Sequence, residues 1–131
     1  MDEAQQIPEP TPQAEAADSP VDFQEALGWV DGDKDLLVEL VGIFLQDYPP
    51  RIEELRAAVS NGDADRIHLL AHGLKGSLTP FGTRLARNLA QRLELIGKER
   101  NLTEAPAVFR ALEEEVSLVA KGLTAPEWRA P

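Results

Sequence analysis

The sequence contains no cysteine, which excludes disulfides and thiolate metal sites. Aromatic residues are scarce at 5% of 131 positions, while leucine and alanine dominate a 43% apolar composition. That mix favours helices packed on helices over a β-sandwich. Every apolar run stops well short of the 18 residues that a membrane span needs. No basic segment followed by an apolar stretch opens the chain, so no signal peptide is read, and a cytoplasmic location is expected. Basic residues are outnumbered, 13 Lys and Arg against 23 Asp and Glu, for a net charge of −10. Such a chain repels phosphate backbones, which argues against general nucleic-acid binding. There is also no Gly-rich phosphate loop, no G-x-S-x-G and no HExxH, so the familiar hydrolase, ATP-binding and zinc-protease signatures are missing.

What is present fits one domain, long enough to bury roughly two-thirds of its unfolded surface. Residues 1–20 are rich in Pro, Ala and Gln. They carry Asp2, Glu3, Glu9, Glu15 and Asp18 with no Lys or Arg, half of the net charge. Such a segment cannot bury enough apolar surface to offset its ordering entropy, and it reads as a disordered acidic tail or linker. The folded unit is expected over 21–124, with a short tail at 125–131.

Within that unit the helical period is steady. Asp22 can cap "FQEALGWV", and Asp33 can cap "KDLLVELVGIFLQDY", whose apolar stripe is Leu36, Leu37, Leu40, Val41, Phe44 and Leu45. Pro49 and Pro50 are expected to end that helix and begin another, "RIEELRAAVS", which stops at Asn61-Gly62. Asp63 then caps "ADRIHLLAHGLKGSLT", which Pro80 ends or bends. Thr83 opens a helix with Leu85, Leu89, Leu93 and Ile96 on one side. After Thr103 comes a last helix that buries Val108, Leu112, Val116 and Val119, with Pro106 tolerated in its first turn. The fold class is all-α: an up-down antiparallel four-helix bundle with one or two additional N-terminal helices.

Only two histidines exist, His68 and His72, four residues apart on one helix face. A third metal ligand has no obvious source, so no metal site is expected. His72 falls off the centre of the stripe formed by Ile67, Leu70, Ala71, Leu74 and Leu78, and its ring should reach solvent. Residue i+4 covers the surface above residue i on a helix, and here that residue is Gly76, which has nothing to cover it with. Lys75, at i+3, brings a cation alongside. An uncovered imidazole beside an ammonium suits phosphoryl exchange, the ring attacking and the cation stabilising the transferring oxygens. Spacing alone leaves this open. A lone helical histidine is more often a surface or packing residue, and a glycine pair can merely allow close helix approach.

The stretch "AHGLKGS", residues 71–77, resembles the A-H-x-L-K-G-S signature of histidine-containing phosphotransfer (Hpt) domains. The likeness runs on through "DLLVELVGIFLQDYPPRIEELRAAVSNGDADRIHLLAHGLKGS" and "LARNLAQRLELIGK", covering about residues 22 to 122. The resemblance implies that His72 accepts a phosphoryl group on Nε2 from a receiver-domain phospho-aspartate and passes it to another receiver. It implies that Lys75 helps to hold the phosphate and that Gly76 keeps the ring accessible. It places Ser77 at the edge of the docking surface and lets Glu94 hydrogen-bond the imidazole Nδ1. Gly73 departs from the commoner Thr or Ser, and "LTPFGT" from the usual small-residue run, which bears on the shape of the docking face. Arg84 and Arg87 are candidates to meet an acidic receiver pocket.

By the same resemblance the domain has no ATP-dependent kinase activity and needs no cofactor, the partner receiver supplying Mg²⁺. It is expected to be monomeric, whether free-standing or the C-terminal module of a hybrid sensor kinase. Two other readings are a helical docking domain that carries no phosphate and the phosphorylatable domain of a chemotaxis-type histidine kinase.

Overall fold

Three aspartates open three of the helices. The side chains of Asp22, Asp33 and Asp63 accept the amide hydrogens of Glu25, Leu36 and Arg66 at 3.1, 3.1 and 3.2 Å. Each satisfies an amide that a helix start leaves unpaired. In the computed structural model, which describes residues 19–125, they precede α1 (Phe23–Trp29), α2 (Lys34–Asn61) and α3 (Ala64–Leu78). Two more helices follow, α4 (Arg84–Glu99) and α5 (Ala105–Thr124), preceded by short 3-10 turns at Thr79–Phe81 and Leu102–Glu104. The expected acidic tail, except Ser19 and Pro20, lies outside the described residues, as does the C-terminal tail beyond Ala125.

Among the described residues there is no strand, and no helix is long and apolar enough to cross a membrane. Packing runs α2 to α3, α3 to α4, α4 to α5, and α5 back to α2. The connections between these four are two to five residues long, so successive helices run antiparallel and close a four-helix bundle. Leu37, Val41, Phe44, Ile52 and Leu55 of α2 meet Ile67, Ala71, Leu74 and Leu78 of α3 inside it. The remaining walls are Ala86, Ala90 and Leu93 of α4 and Val108, Leu112, Val116 and Val119 of α5. Full burial of each large aliphatic side chain contributes about 1.5–3 kcal/mol. Arg56 of α2 reaches both carboxylate oxygens of Glu113 on α5 and lies 5.3 Å above the Phe109 ring.

Two expectations are corrected. Pro49 and Pro50 do not divide a helix: α2 is continuous over 28 residues, so a single extra helix, α1, precedes the bundle. Both prolines are exposed, as is Gln46, which with the half-buried Leu45 carries the two carbonyls that lose their amide partners. On the inward side Phe44 stacks on Tyr48 at 5.2 Å, and the buried stripe continues in phase through Ile52 and Leu55. The packed face holds the helix across the turn that the prolines weaken. Leu85 is not on the buried side of α4 but 55% exposed, and Leu36 of α2 is exposed as well. The inward face of α4 is Ala86, Ala90, Leu93 and Gly97, with Leu89 and Ile96 at its edges. Small residues prevail there because α3 comes very close.

The "LTPFGT" segment anchors α1. Phe81 is buried, edge-on to Phe44 at 5.4 Å, and its carbonyl accepts the Asp22 amide hydrogen at 3.2 Å. Gly82 has φ +62°, and an ideal Cβ there would stand 2.6 Å from Cβ of Asp22, so only glycine fits the turn. The Thr83 hydroxyl donates to the Leu78 carbonyl at 2.7 Å, closing the end of α3 rather than capping α4.

Candidate functional site

The site begins with the approach of α3 and α4. Gly97 lies against the α3 backbone so closely that an ideal Cβ would stand 2.6 Å from the His68 amide nitrogen and 2.7 Å from the Ala64 carbonyl oxygen. Glycine at this crossing leaves out the Cβ that would collide with the α3 backbone. One turn earlier on α4, Glu94 is thereby brought to the surface of α3, its side chain only 14% exposed.

With Ile67, Ala71, Leu74 and Leu78 committed to the core, His72 must point outwards, and its side chain is 66% exposed. Its Nδ1 lies 2.9 Å from Oε2 of Glu94. The other carboxylate oxygen, Oε1, is 2.8 Å from Nζ of Lys75. That second contact is a close charge pair without the alignment of a hydrogen bond. The Lys75 ammonium, and after it the His72 ring, hold the Glu94 carboxyl below its ordinary value of 4.5, and its partial burial opposes this only in part. At neutral pH the carboxylate is therefore ionised and can only accept. Nδ1 must carry the hydrogen, which leaves the lone pair of a neutral ring on Nε2, facing away from Glu94.

His68 does not share this site in a metal-binding sense. Its Nδ1 is 3.2 Å from the backbone carbonyl oxygen of Glu94, so Glu94 meets one histidine through its backbone and the other through its carboxylate. Among the described residues no group of three or more His, Asp or Glu is arranged to hold a metal.

Around the ring the surface is open. Gly76 is exposed, and a Cβ added there would meet nothing within 4 Å. Ser77 is turned back along α3, its hydroxyl donating to the Gly73 carbonyl at 3.2 Å. Gly73 faces α2, where an added Cβ would stand 3.0 Å from Nη1 of Arg51. Arg84 and Arg87 lie on the first turn of α4, about 10 Å along the helix from Glu94 for Arg87. Neither has an ion pair among the described residues. The structure thus gathers His72, Lys75 and Glu94 into one cluster, flanks it with Gly73, Gly76 and Ser77, and sets the two arginines apart towards the α3–α4 turn.

Sequence reasoning passed over Gly97 and Arg51. The signal for Gly97 was its position, four residues after Leu93 on the inward stripe of α4. Arg51 gave none, because its neighbour Gly73 is 22 positions away on another helix.

A family model described as Hpt domain matches residues 39–122, a stretch that holds Arg51, Gly73, the whole His72 cluster and Gly97. No curated protein matches the chain. Among solved structures the chain is similar to the crystal structure of histidine-containing phosphotransfer protein B (HptB) from Pseudomonas aeruginosa PAO1. The two share 25% sequence identity with a TM-score of 0.77, over 86% of this chain and 97% of that one.

Proposed function

Because the chain belongs to the Hpt family and is a histidine phosphotransfer module of phosphorelays, we propose that His72 is the residue that carries the phosphoryl group. The donor in this reading is the aspartyl phosphate of a receiver domain. Nε2 attacks phosphorus, an Nε2–P bond forms as the bond to the aspartyl oxygen breaks, and the free carboxylate leaves with the electron pair. The attacking nitrogen has no proton to lose, because the hydrogen sits on Nδ1. Positive charge grows on the ring as the bond forms, and the Glu94 carboxylate opposite Nδ1 offsets it. Lys75, one turn along the same face, brings an ammonium to the transferring oxygens. The reverse sequence hands the group to the aspartate of a second receiver. The receiver supplies that aspartate and its Mg²⁺.

The observation that carries this reading is the division of labour on one ring. Nδ1 is held 2.9 Å from a half-buried carboxylate, while the imidazole is 66% exposed. A histidine serving only solubility has no need of an anchored tautomer. The test is incubation with phosphorylated receiver domains, followed by a search for acid-labile, base-stable phosphate on this chain. Label on the wild type and none on His72→Gln supports the relay. Equal behaviour of the two proteins refutes it and leaves a docking bundle that carries no phosphate.

A further inference from the structure

The imidazole of His72 has two flanks, and only the α4 flank is used by the proposed chemistry. On that flank the charge of Lys75 is compensated, since Nζ sits 2.8 Å from Oε1 of Glu94. On the α2 flank stands Arg51, half-buried and without an ion pair among the described residues. Asp47 and Glu54 lie one turn to either side of it on α2, yet neither is paired with it. The guanidinium instead rests against α3 at Gly73, the residue after His72. An ideal Cβ on Gly73 would come within 3.0 Å of Nη1, closer than ordinary van der Waals contact allows. A side chain at position 73 obliges the guanidinium to give way by a few tenths of an ångström at its Cβ, and by more for each atom beyond.

We infer that Arg51 and Gly73 act as a pair that sets the affinity for the receiver: Arg51 offers an uncompensated cation to the acidic surface around the phospho-aspartate, and Gly73 vacates the place it occupies. With a net charge of −10 the chain as a whole repels an acidic partner, and an unpaired cation at the docking face offsets that locally. A free cation on the helix facing Gly73, the residue after His72, steers the encounter and fixes its register. Arg51 thereby acts on receiver binding and takes no part in the bond-making step.

This inference rests on the proposed acceptance of phosphate by His72 from a receiver. The probe is the receiver domain, from a panel of the source genome, that labels wild-type protein fastest. Transfer rate is measured against receiver concentration for wild type, Arg51→Ala, Gly73→Ser, the double variant and Arg51→Lys. Arg51→Ala is expected to raise the half-saturating receiver concentration roughly fivefold and to leave the saturated rate within about twofold. The difference should shrink as salt is added. Gly73→Ser should produce a similar loss by pushing the guanidinium aside, and should add little once Arg51 is gone. Arg51→Lys, which keeps the charge, should recover most of the affinity. Each protein's thermal melt accompanies the kinetics; none is expected to melt below wild type, because Gly73 borders only the tip of Arg51 and loss of a helical glycine favours the fold. A wild-type half-saturating concentration in Arg51→Ala, or an undiminished Gly73→Ser effect in its background, overturns the pairing while leaving the reading of His72 intact. A wild type that takes phosphate from no receiver overturns both.

Discussion

Gly97 of α4 lies on the backbone of α3 at His68, with room for no Cβ between them. This contact fixes how far Glu94 stands from His72, since the two residues are one turn along from it on their respective helices. Gly97→Ala would force its Cβ against the α3 backbone, and the expected destabilisation is about 1–3 kcal/mol. A lower urea midpoint should come with slower phosphoryl transfer even where the variant is still folded, because the Glu94 carboxylate is carried away from Nδ1. A Gly97→Ala protein with wild-type transfer would show that this spacing does not govern the site.

Glu94 should make the fold acid-sensitive in a definable window. Its carboxyl is held below the ordinary 4.5 by Lys75 and then by His72, so the folded protein binds that proton less tightly than the unfolded chain. The resulting stabilisation is complete above the ordinary value and is lost as the pH falls through the lower, folded one. Urea midpoints followed from about pH 6 to about pH 3 should drop more steeply for wild type than for Glu94→Gln. The same variant should transfer phosphate roughly ten- to a hundredfold more slowly, since the growing ring charge loses its counter-charge. Parallel pH curves for the two proteins would remove Glu94 from the account of stability.

Gly76→Leu should separate access from folding. A Cβ at this exposed position meets nothing within 4 Å, so the leucine is accommodated, and the loss of a helical glycine favours stability by about 0.5–1 kcal/mol. The added side chain leans over His72, and receiver-dependent labelling is expected to fall at least about tenfold. An unchanged transfer rate in a folded Gly76→Leu protein would dispose of the steric role.

The helix starts at Asp22, Asp33 and Asp63 were legible because a cap is a relation between residues three apart. The outward position of His72 was legible for a similar reason, as a matter of phase within one helix. What escaped the sequence lies between helices. The Gly97 contact with His68 and the Gly73 contact with Arg51 depend on how each helix is rotated against its neighbour, which no single periodicity specifies. Leu85 misled in the same way. A leucine is the stronger hydrophobe, yet the close α3–α4 crossing admits only the small side of α4, so Ala86 and Ala90 are buried in its place.

The proline pair departs from the local rule because packing across the helix overrides it. Within α2, Pro49 and Pro50 remove the amide hydrogens that would reach the Leu45 and Gln46 carbonyls, while Phe44 on Tyr48 and the stripe through Ile52 keep the helix whole. Replacing both prolines by alanine restores two backbone hydrogen bonds, each contributing about 0.5–1.5 kcal/mol. Greater freedom of the unfolded chain offsets about 0.4–1 kcal/mol per site. Relief of the ring clashes with the same two carbonyls adds to the gain, so a net stabilisation is expected. Urea unfolding should show it directly, and new slowly exchanging amides at positions 49 and 50 should accompany it. Destabilisation by the two alanines would mean that the prolines impose a bend on which the seating of Phe44, Tyr48 and Ile52 depends.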